Sequence, residues 1–498
     1  MSLPIETSDV IKKLLLALAL AVALLLCVLV VRTAATPDPV RVVPAPLPAP
    51  AIDQAGALRR FSAAVKIQTV STADAPPSPE AMAAFHAQLR ADFPLVHARL
   101  GHEVIGDAGA LLFTWPGSDP SLAPIILMAH QDTVPIEAES RARWHHDPFS
   151  GEIAQDTVWG RGTLDDKASL VSQLEAVELL LKAGFAPRRT IYLAFGSDEE
   201  RGGARGAMAI VSTLKQRGVR AQFVLDEGGA LADGMMPGIA GKVALIGIAE
   251  KGYQSIRLSA EVAGGHSSQP PADSAIGLLS RALTRLDAHQ MPARVNPVAA
   301  ANFESMAPYL PFAQKLVMRN RWITEPLLLH SLVKSPSGAA MVRTTTALTM
   351  FNAGVKDNVL PTRATAVVNF RIAPGDTRQR LLAHVRTAVN DPRIRIEPVD
   401  SFSKEASPVS AVDGPGFAAV ARNIARVAPQ VPVMPYLMIA GSDAAHYTEV
   451  SDAQYRFVPY TLTTATAARI HGIDEGIAVS DYLRCIRFYH ALIQDAAG

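Results

Sequence analysis

The chain has 498 residues and balances 47 Lys and Arg against 46 Asp and Glu, a formal net charge of +1. That balance lacks the basic surplus that a phosphate backbone demands, which argues against a nucleic-acid partner. The two cysteines, Cys27 in an apolar run and Cys485 near the C-terminus, offer no disulfide framework, and the length suits two domains and a tail.

Residues 14–31 are uninterruptedly apolar, about 27 Å as a helix, which nearly spans a bilayer core. Lys12 and Lys13 precede them, so the positive-inside rule predicts a single-pass membrane helix with the rest of the chain extracytoplasmic. A cleaved signal peptide, ending at the small residues Thr33, Ala34 and Ala35, is the alternative and would make the protein secreted. The run exceeds a usual signal core, which favours the uncleaved anchor. The repeated prolines of residues 37–50 read as a stiff, extended spacer.

Beyond the spacer, strand and helix patterns alternate to residue 248. PIILMAHQDTVP predicts a strand over 125–129, with His130 where it ends, the usual place for functional groups in an open α/β sheet. Asp132 suits a carboxylate that orients the His130 imidazole, although such a pair alone also fits an ordinary polar loop. VWGRGTLDDKASL puts Asp165 after a glycine turn and before a helix over 168–181. There it can cap the helix and, with two oxygens, also bridge two cations. TIYLAFGSDEERGGARG ends a strand over 190–195 in three adjacent acids, which repel unless a cation or open water compensates. Glu200 is the expected ligand and Glu199 the expected general base. QFVLDEGG ends a strand over 222–225 at Asp226, a further ligand candidate, with Glu227 expected as a neighbouring polar group. ARIHGIDE places His471 in a turn. Two imidazoles and three carboxylates form a nitrogen and oxygen set suited to two zinc ions per chain, with manganese or cobalt as alternatives. The expected division is His130 and Asp226 on one metal, Glu200 and His471 on the other, and Asp165 shared.

The ordered motifs HxD, GRGxxDDK, DEE, DEGG, GGHSSxPP, NVxP, NFR and RxHGxxE resemble the co-catalytic zinc peptidase superfamily of aminoacylase, carnosinase and succinyl-diaminopimelate desuccinylase. Within it, residues 341–377 are most similar to the branch of carboxypeptidase S and the N-fatty-acyl-amino-acid synthase/hydrolase. The resemblance covers the chain from about Ile52 onward. It implies that Glu199 deprotonates a water, Asp132 orients His130, and His266 stabilises the developing oxyanion. It further implies that Asn358 and Arg371 hold the substrate, Arg371 through its carboxylate, and that Gly441 lines the carboxylate pocket with backbone N–H groups. Ser442 stands where that branch's pattern has Thr, a change that keeps the hydroxyl. The resemblance also implies a cis peptide after Asp165, and a homodimer through the lid in which His266 reaches the neighbouring subunit's site.

The expected fold is α/β: a catalytic domain with a mixed sheet flanked by helices, an inserted α+β lid, and an N-terminal transmembrane helix. The expected boundaries are an anchor over 1–36, a linker over 37–50, catalytic segments over 51–250 and 376–498, and a lid or dimerisation domain over 251–375. Residues 295–337, with Trp322, are an insert that either walls a greasy substrate or packs between domains. The expected activity is hydrolysis of amide bonds in N-acyl amino acids or small peptides with a free carboxylate. A secreted dipeptidase, a catalytically silent anchored binding protein and a two-metal phosphoesterase are the competing readings. A silent protein should have lost a ligand or the base, and none is lost. The Arg371 and Gly441 pocket and the balanced charge count against the phosphoesterase.

Overall fold

The computed structural model describes residues 5–38 and 44–498; residues 39–43 of the expected spacer, and 1–4, lie outside the described residues. Ile5–Ala35 is one helix, and within Asp9–Ala35 an 18-residue window reaches a mean hydropathy of 3.4 with 6% of it buried. The core helix of a soluble protein would be mostly buried, and this one is mostly exposed. An anchor and a signal sequence both fit.

Ten strands form the main mixed sheet. At its centre Ile125–His130 is buried along its whole length. It pairs in parallel with Ile191–Gly196 on one side and Phe223–Asp226 on the other. Unbroken apolar runs are what a parallel sheet covered on both faces requires. The helix Lys167–Lys182 supplies one cover, with nearly every side chain buried, and the C-terminal helix Val479–Ala497 packs against it. Because the three central strands run the same way, all three motif-bearing ends emerge on one edge.

A second sheet of four antiparallel strands has the order Thr345–Ala353, Arg363–Ile372, Gly252–Glu261 and Ile394–Lys404. Arg363–Ile372 alternates between buried and more exposed residues, the pattern of a sheet covered on one face. The helices Ala275–Ala288 and Arg378–Val389 cover that face and share a separate apolar core with it, including Leu258, Leu279, Phe370 and Val385. This core runs past residue 375, where the sequence placed the end of the lid. Arg371 to Pro374 closes a strand and so resembles a domain return. The following helix and the strand Ile394–Lys404 nevertheless complete the second sheet.

Four helices between residues 297 and 342 pack beside the main sheet. Pro297–Met306 lies on the strand Val433–Met438, and Phe312–Arg319 touches the N-terminal helix.

Candidate active site

His130 ends its strand opposite Gly196, so the short helix Glu199–Arg201 rises next to it. The Nδ1 of His130 lies 2.9 Å from the Asp132 carbonyl oxygen and 3.4 Å from the Asp132 carboxylate. A carbonyl only accepts, so Nδ1 carries the proton and Nε2 is left to bind a cation. The backbone oxygen, rather than the expected carboxylate, makes the closer contact. The buried Asp132 carboxylate also ties loops together. Its Oδ1 accepts the Glu199 amide at 3.1 Å, and its Oδ2 accepts the Glu200 amide at 3.3 Å and the Ser71 hydroxyl at 2.6 Å.

Asp165 stands between two imidazoles. Its Oδ1 is 2.8 Å from His130 Nε2 and its Oδ2 is 2.9 Å from His471 Nε2. The Asp165–Asp166 peptide is cis. His471 Nε2 is also 3.2 Å from Glu200 Oε2. His471 has φ near 60°, a left-handed conformation that persists in a non-glycine residue only when surroundings hold it. The holder is a buried ion pair. Arg161 Nη1 donates to Glu475 Oε2 at 2.6 Å, and Nη2 donates to the Gly472 carbonyl at 3.0 Å. Glu475 Oε1 in turn accepts the amides of Leu164 at 2.8 Å and Asp165 at 3.3 Å. One pair therefore clamps the Asp165 loop to the His471 turn. The sequence assigned neither residue a role, because nothing in GRGxxDDK or RxHGxxE marks the Arg of one and the last Glu of the other as a pair.

Asp226 stands apart from the closest groups of acids and imidazoles. The ligand atoms of His130, Asp165 and Glu227 lie within 4.8 Å of one another, as do those of His130, Glu199 and Glu200 and those of Asp165, Glu200 and His471. Asp226 belongs to none of these groups among the described residues. Its Oδ2 accepts the Ala444 amide at 2.8 Å. Glu227 follows the end of the strand and brings a carboxylate oxygen within reach of His130 and Asp165.

The site is crowded with desolvated carboxylates. Burial, reinforced by neighbouring acids, pushes Glu199, Glu227 and Asp443 well above the ordinary carboxylate range, and Glu200 upward too. Burial opposes charge on His130, yet Asp132 and Asp165 hold it well above its usual value. Hydrogen bonds that His471 donates to Asp165 and then to Glu200 push it up to about 10. Glu200 Oε1 is buried and has no partner. An orphaned oxygen amid mutually repelling acids and two imidazoles is the donor chemistry that fits divalent cations.

A cavity of about 460 Å³ opens onto this cluster. Glu199, Glu200 and His471 line one side, with Tyr253, Arg371 and Lys404 among the remaining wall residues. The Arg371 guanidinium sits 4.8 Å above the Tyr253 ring, which restrains it. Gly441 and Ser442 also line the cavity. Buried Glu250 organises this part of the wall: it accepts the Ser442 hydroxyl at 2.7 Å, Arg456 Nε at 2.6 Å and Lys404 Nζ at 3.1 Å. Lys404 and Tyr253 escaped the sequence reading, since neither sits in a recognisable motif.

Two expected residues lie elsewhere. His266 and Asn358 meet in the small ribbon Gly265–His266 with Val359–Leu360, where the Ser267 amide donates to the Asn358 carbonyl at 3.3 Å. Both are exposed, and neither lines the cavity. No residue of the 295–337 insert lines it either, so the insert is not a wall of this cavity.

The sequence profile of Peptidase family M20/M25/M40 matches residues 126–495. The chain belongs to this family. It is 39% identical over 444 residues to the N-fatty-acyl-amino acid synthase/hydrolase PM20D1.1 of Danio rerio, covering 88% of this chain and 85% of that protein. It is 30% identical over 499 residues to carboxypeptidase S of Saccharomyces cerevisiae, covering 88% and 83%. Among solved structures, an M20 family metallo-carboxypeptidase from Sulfolobus solfataricus matches with a TM-score of 0.65 at 16% identity, over 88% of this chain and 98% of that one. Human carnosine dipeptidase 1 matches with a TM-score of 0.62 at 13% identity, over 89% and 96%. At these identities the structural likeness speaks for the fold. Together the family and its named relatives make this M20 chain a hydrolase of the metallopeptidase class.

Proposed function

We propose that this M20 peptidase hydrolyses the amide bond of N-acyl amino acids or small peptides with a free carboxylate, facing out of the cell on its N-terminal anchor. The observation that carries the reading is a cavity with a cation-binding acid cluster on one side and Arg371 and Lys404 also in its wall. The relatives' names supply the substrate class. His130, Glu227 and Asp165 would hold one divalent cation, and Asp165, Glu200 and His471 the other, with zinc the first choice for this donor set. When bound, the cations supply Lewis acidity toward the scissile carbonyl and lower the pKa of water. Glu199, next to Glu200 on the same short helix, takes the proton from the attacking water and delivers it to the leaving nitrogen. Arg371 grips the substrate carboxylate, and Lys404, held by Glu250, adds a second positive charge.

A screen of N-acyl amino acids against dipeptides, with metal-loaded protein, tests the substrate class; turnover of neither would contradict it. Within that screen Arg371→Ala should raise KM with little change in metal content. A charge-assisted hydrogen bond is worth about 1.5–3 kcal/mol, or roughly 10–150-fold. Substrates whose carboxylate is amidated should lose this sensitivity to the variant.

The dimer belongs to the same proposal. His266 and Asn358 are exposed, and the edge strand Thr345–Ala353 presents Leu348, Met350 and Phe351 to solvent. A partner lid would cover that strand and offer His266 to a site other than its own. His266→Ala and Glu199→Ala should then each be nearly inactive alone and regain activity when mixed under subunit exchange. Mixed dimers that stay inactive would show that His266 serves its own chain or does not act on the oxyanion.

A further inference from the structure

The insert that does not line the cavity carries an apolar surface of its own. Its helix Arg321–Leu332 buries Leu328 in a small cluster with Phe303 and Val342. The opposite side exposes Trp322 (58%), Ile323 (41%) and Leu327 (62%), with exposed Pro326 between them. Positions i, i+1, i+4 and i+5 form one continuous helix face, and a face turned to water is normally polar. Phe312, which opens the preceding helix Phe312–Arg319, is exposed as well.

The place of this stripe says what covers it. Asn320, buried at the junction of the two helices, donates its Nδ2 to Thr33 Oγ1 at 2.9 Å and to the Leu29 carbonyl at 3.3 Å. Arg319 donates Nη1 to the Thr33 carbonyl at 2.9 Å and Nη2 to Asp38 at 2.5 Å, and Lys315 Nζ meets Asp38 at 2.9 Å. Leu29 and Thr33 are buried by this contact, whereas most of the N-terminal helix is exposed. They lie where the apolar run of residues 14–31 ends. In an anchored chain that level is the boundary between hydrocarbon and headgroups. The stripe begins at Trp322, two residues from Asn320, and a tryptophan at that boundary suits the interface, as an amphipathic helix does.

We propose that the helices Phe312–Arg319 and Arg321–Leu332 lie in the outer interface of the lipid bilayer and seat the enzyme against it. The stripe and the anchor then form one continuous membrane-facing surface. The seat rests on the reading of residues 14–31 as a retained anchor. It also keeps the enzyme beside the phase into which long-chain acyl substrates partition.

The test uses the full chain with Cys27→Ser, since Cys485 is buried and shielded from labelling. Leu24→Cys, Leu327→Cys and Val355→Cys are each labelled with an environment-sensitive fluorophore. Val355, 96% exposed, reports water. In phosphatidylcholine vesicles carrying a lipid-borne quencher, labels at 24 and 327 should shift to the blue and be quenched severalfold more than the label at 355. Quenching at 24 with a water-exposed 327 overturns the seat and leaves the anchor standing. A water-exposed label at 24 overturns both. Shielding of 327 that rises with protein concentration and ignores the lipid quencher overturns the seat in favour of a second copy of the chain.

Discussion

Glu199→Ala is expected to keep the site's metal and lower turnover by roughly 10²–10⁴-fold, the range for losing a general base. Glu199 is half-buried beside the cluster, but the closer pairings with the two histidines belong to Asp165 and Glu200. Removing it therefore takes away a proton carrier before it takes away a ligand. Glu200→Ala should do the reverse. Its Oε2 is 3.2 Å from His471 and its Oε1 has no protein partner, so its loss should empty the site. Metal content measured beside single-turnover rates separates the two. If Glu199→Ala empties the site instead, the roles are exchanged.

Glu475→Ala is expected to cost about 3–5 kcal/mol, the usual penalty for stranding one charge of a buried pair. Arg161 would keep its guanidinium inside the protein with the 2.6 Å partner gone, and the Leu164 and Asp165 amides would lose their acceptor. Metal affinity should fall with stability, because the same pair holds the Asp165 loop against the His471 turn. The double variant Arg161→Met/Glu475→Leu distinguishes the two effects. Replacing a buried pair by apolar side chains often restores stability, but it restores none of the hydrogen bonds that place Asp165 and Gly472. Denaturation should then recover in the double variant while metal affinity stays low. Recovery of both would mean that the pair only stabilises the fold.

Both expectations depend on features of very different legibility. The family and the main sheet could be read from the sequence because apolar runs end in charged motifs, and a parallel sheet displays those ends together. The strands expected over 125–129, 190–195 and 222–225 form as Ile125–His130, Ile191–Gly196 and Phe223–Asp226. The choice between Asp226 and Glu227 could not be read in the same way. A shift of one residue at a strand end reverses which side chain faces the site, and DEGG offers an acid at either position. The Arg161–Glu475 clamp was hidden for another reason: the two residues flank the expected ligands without being expected to bind metal, so nothing in the motifs marks them as a pair. Lys404 was hidden because the lid's last strand lies beyond the turn that looked like its end. The insert held Trp322 and several leucines, which composition alone cannot divide between a substrate wall, a core and a lipid-facing surface.

The proposed site holds a pair of metals bridged by Asp165, with Glu227 as a ligand. Anomalous scattering at the zinc edge, recorded from crystals of the zinc-loaded chain, tests it most directly. Two peaks roughly 3.5–4 Å apart are expected on either side of Asp165, one touching His130 and Glu227 and the other touching Glu200 and His471. A single peak, or a metal held by Asp226 with Glu227 turned away, would rule this arrangement out.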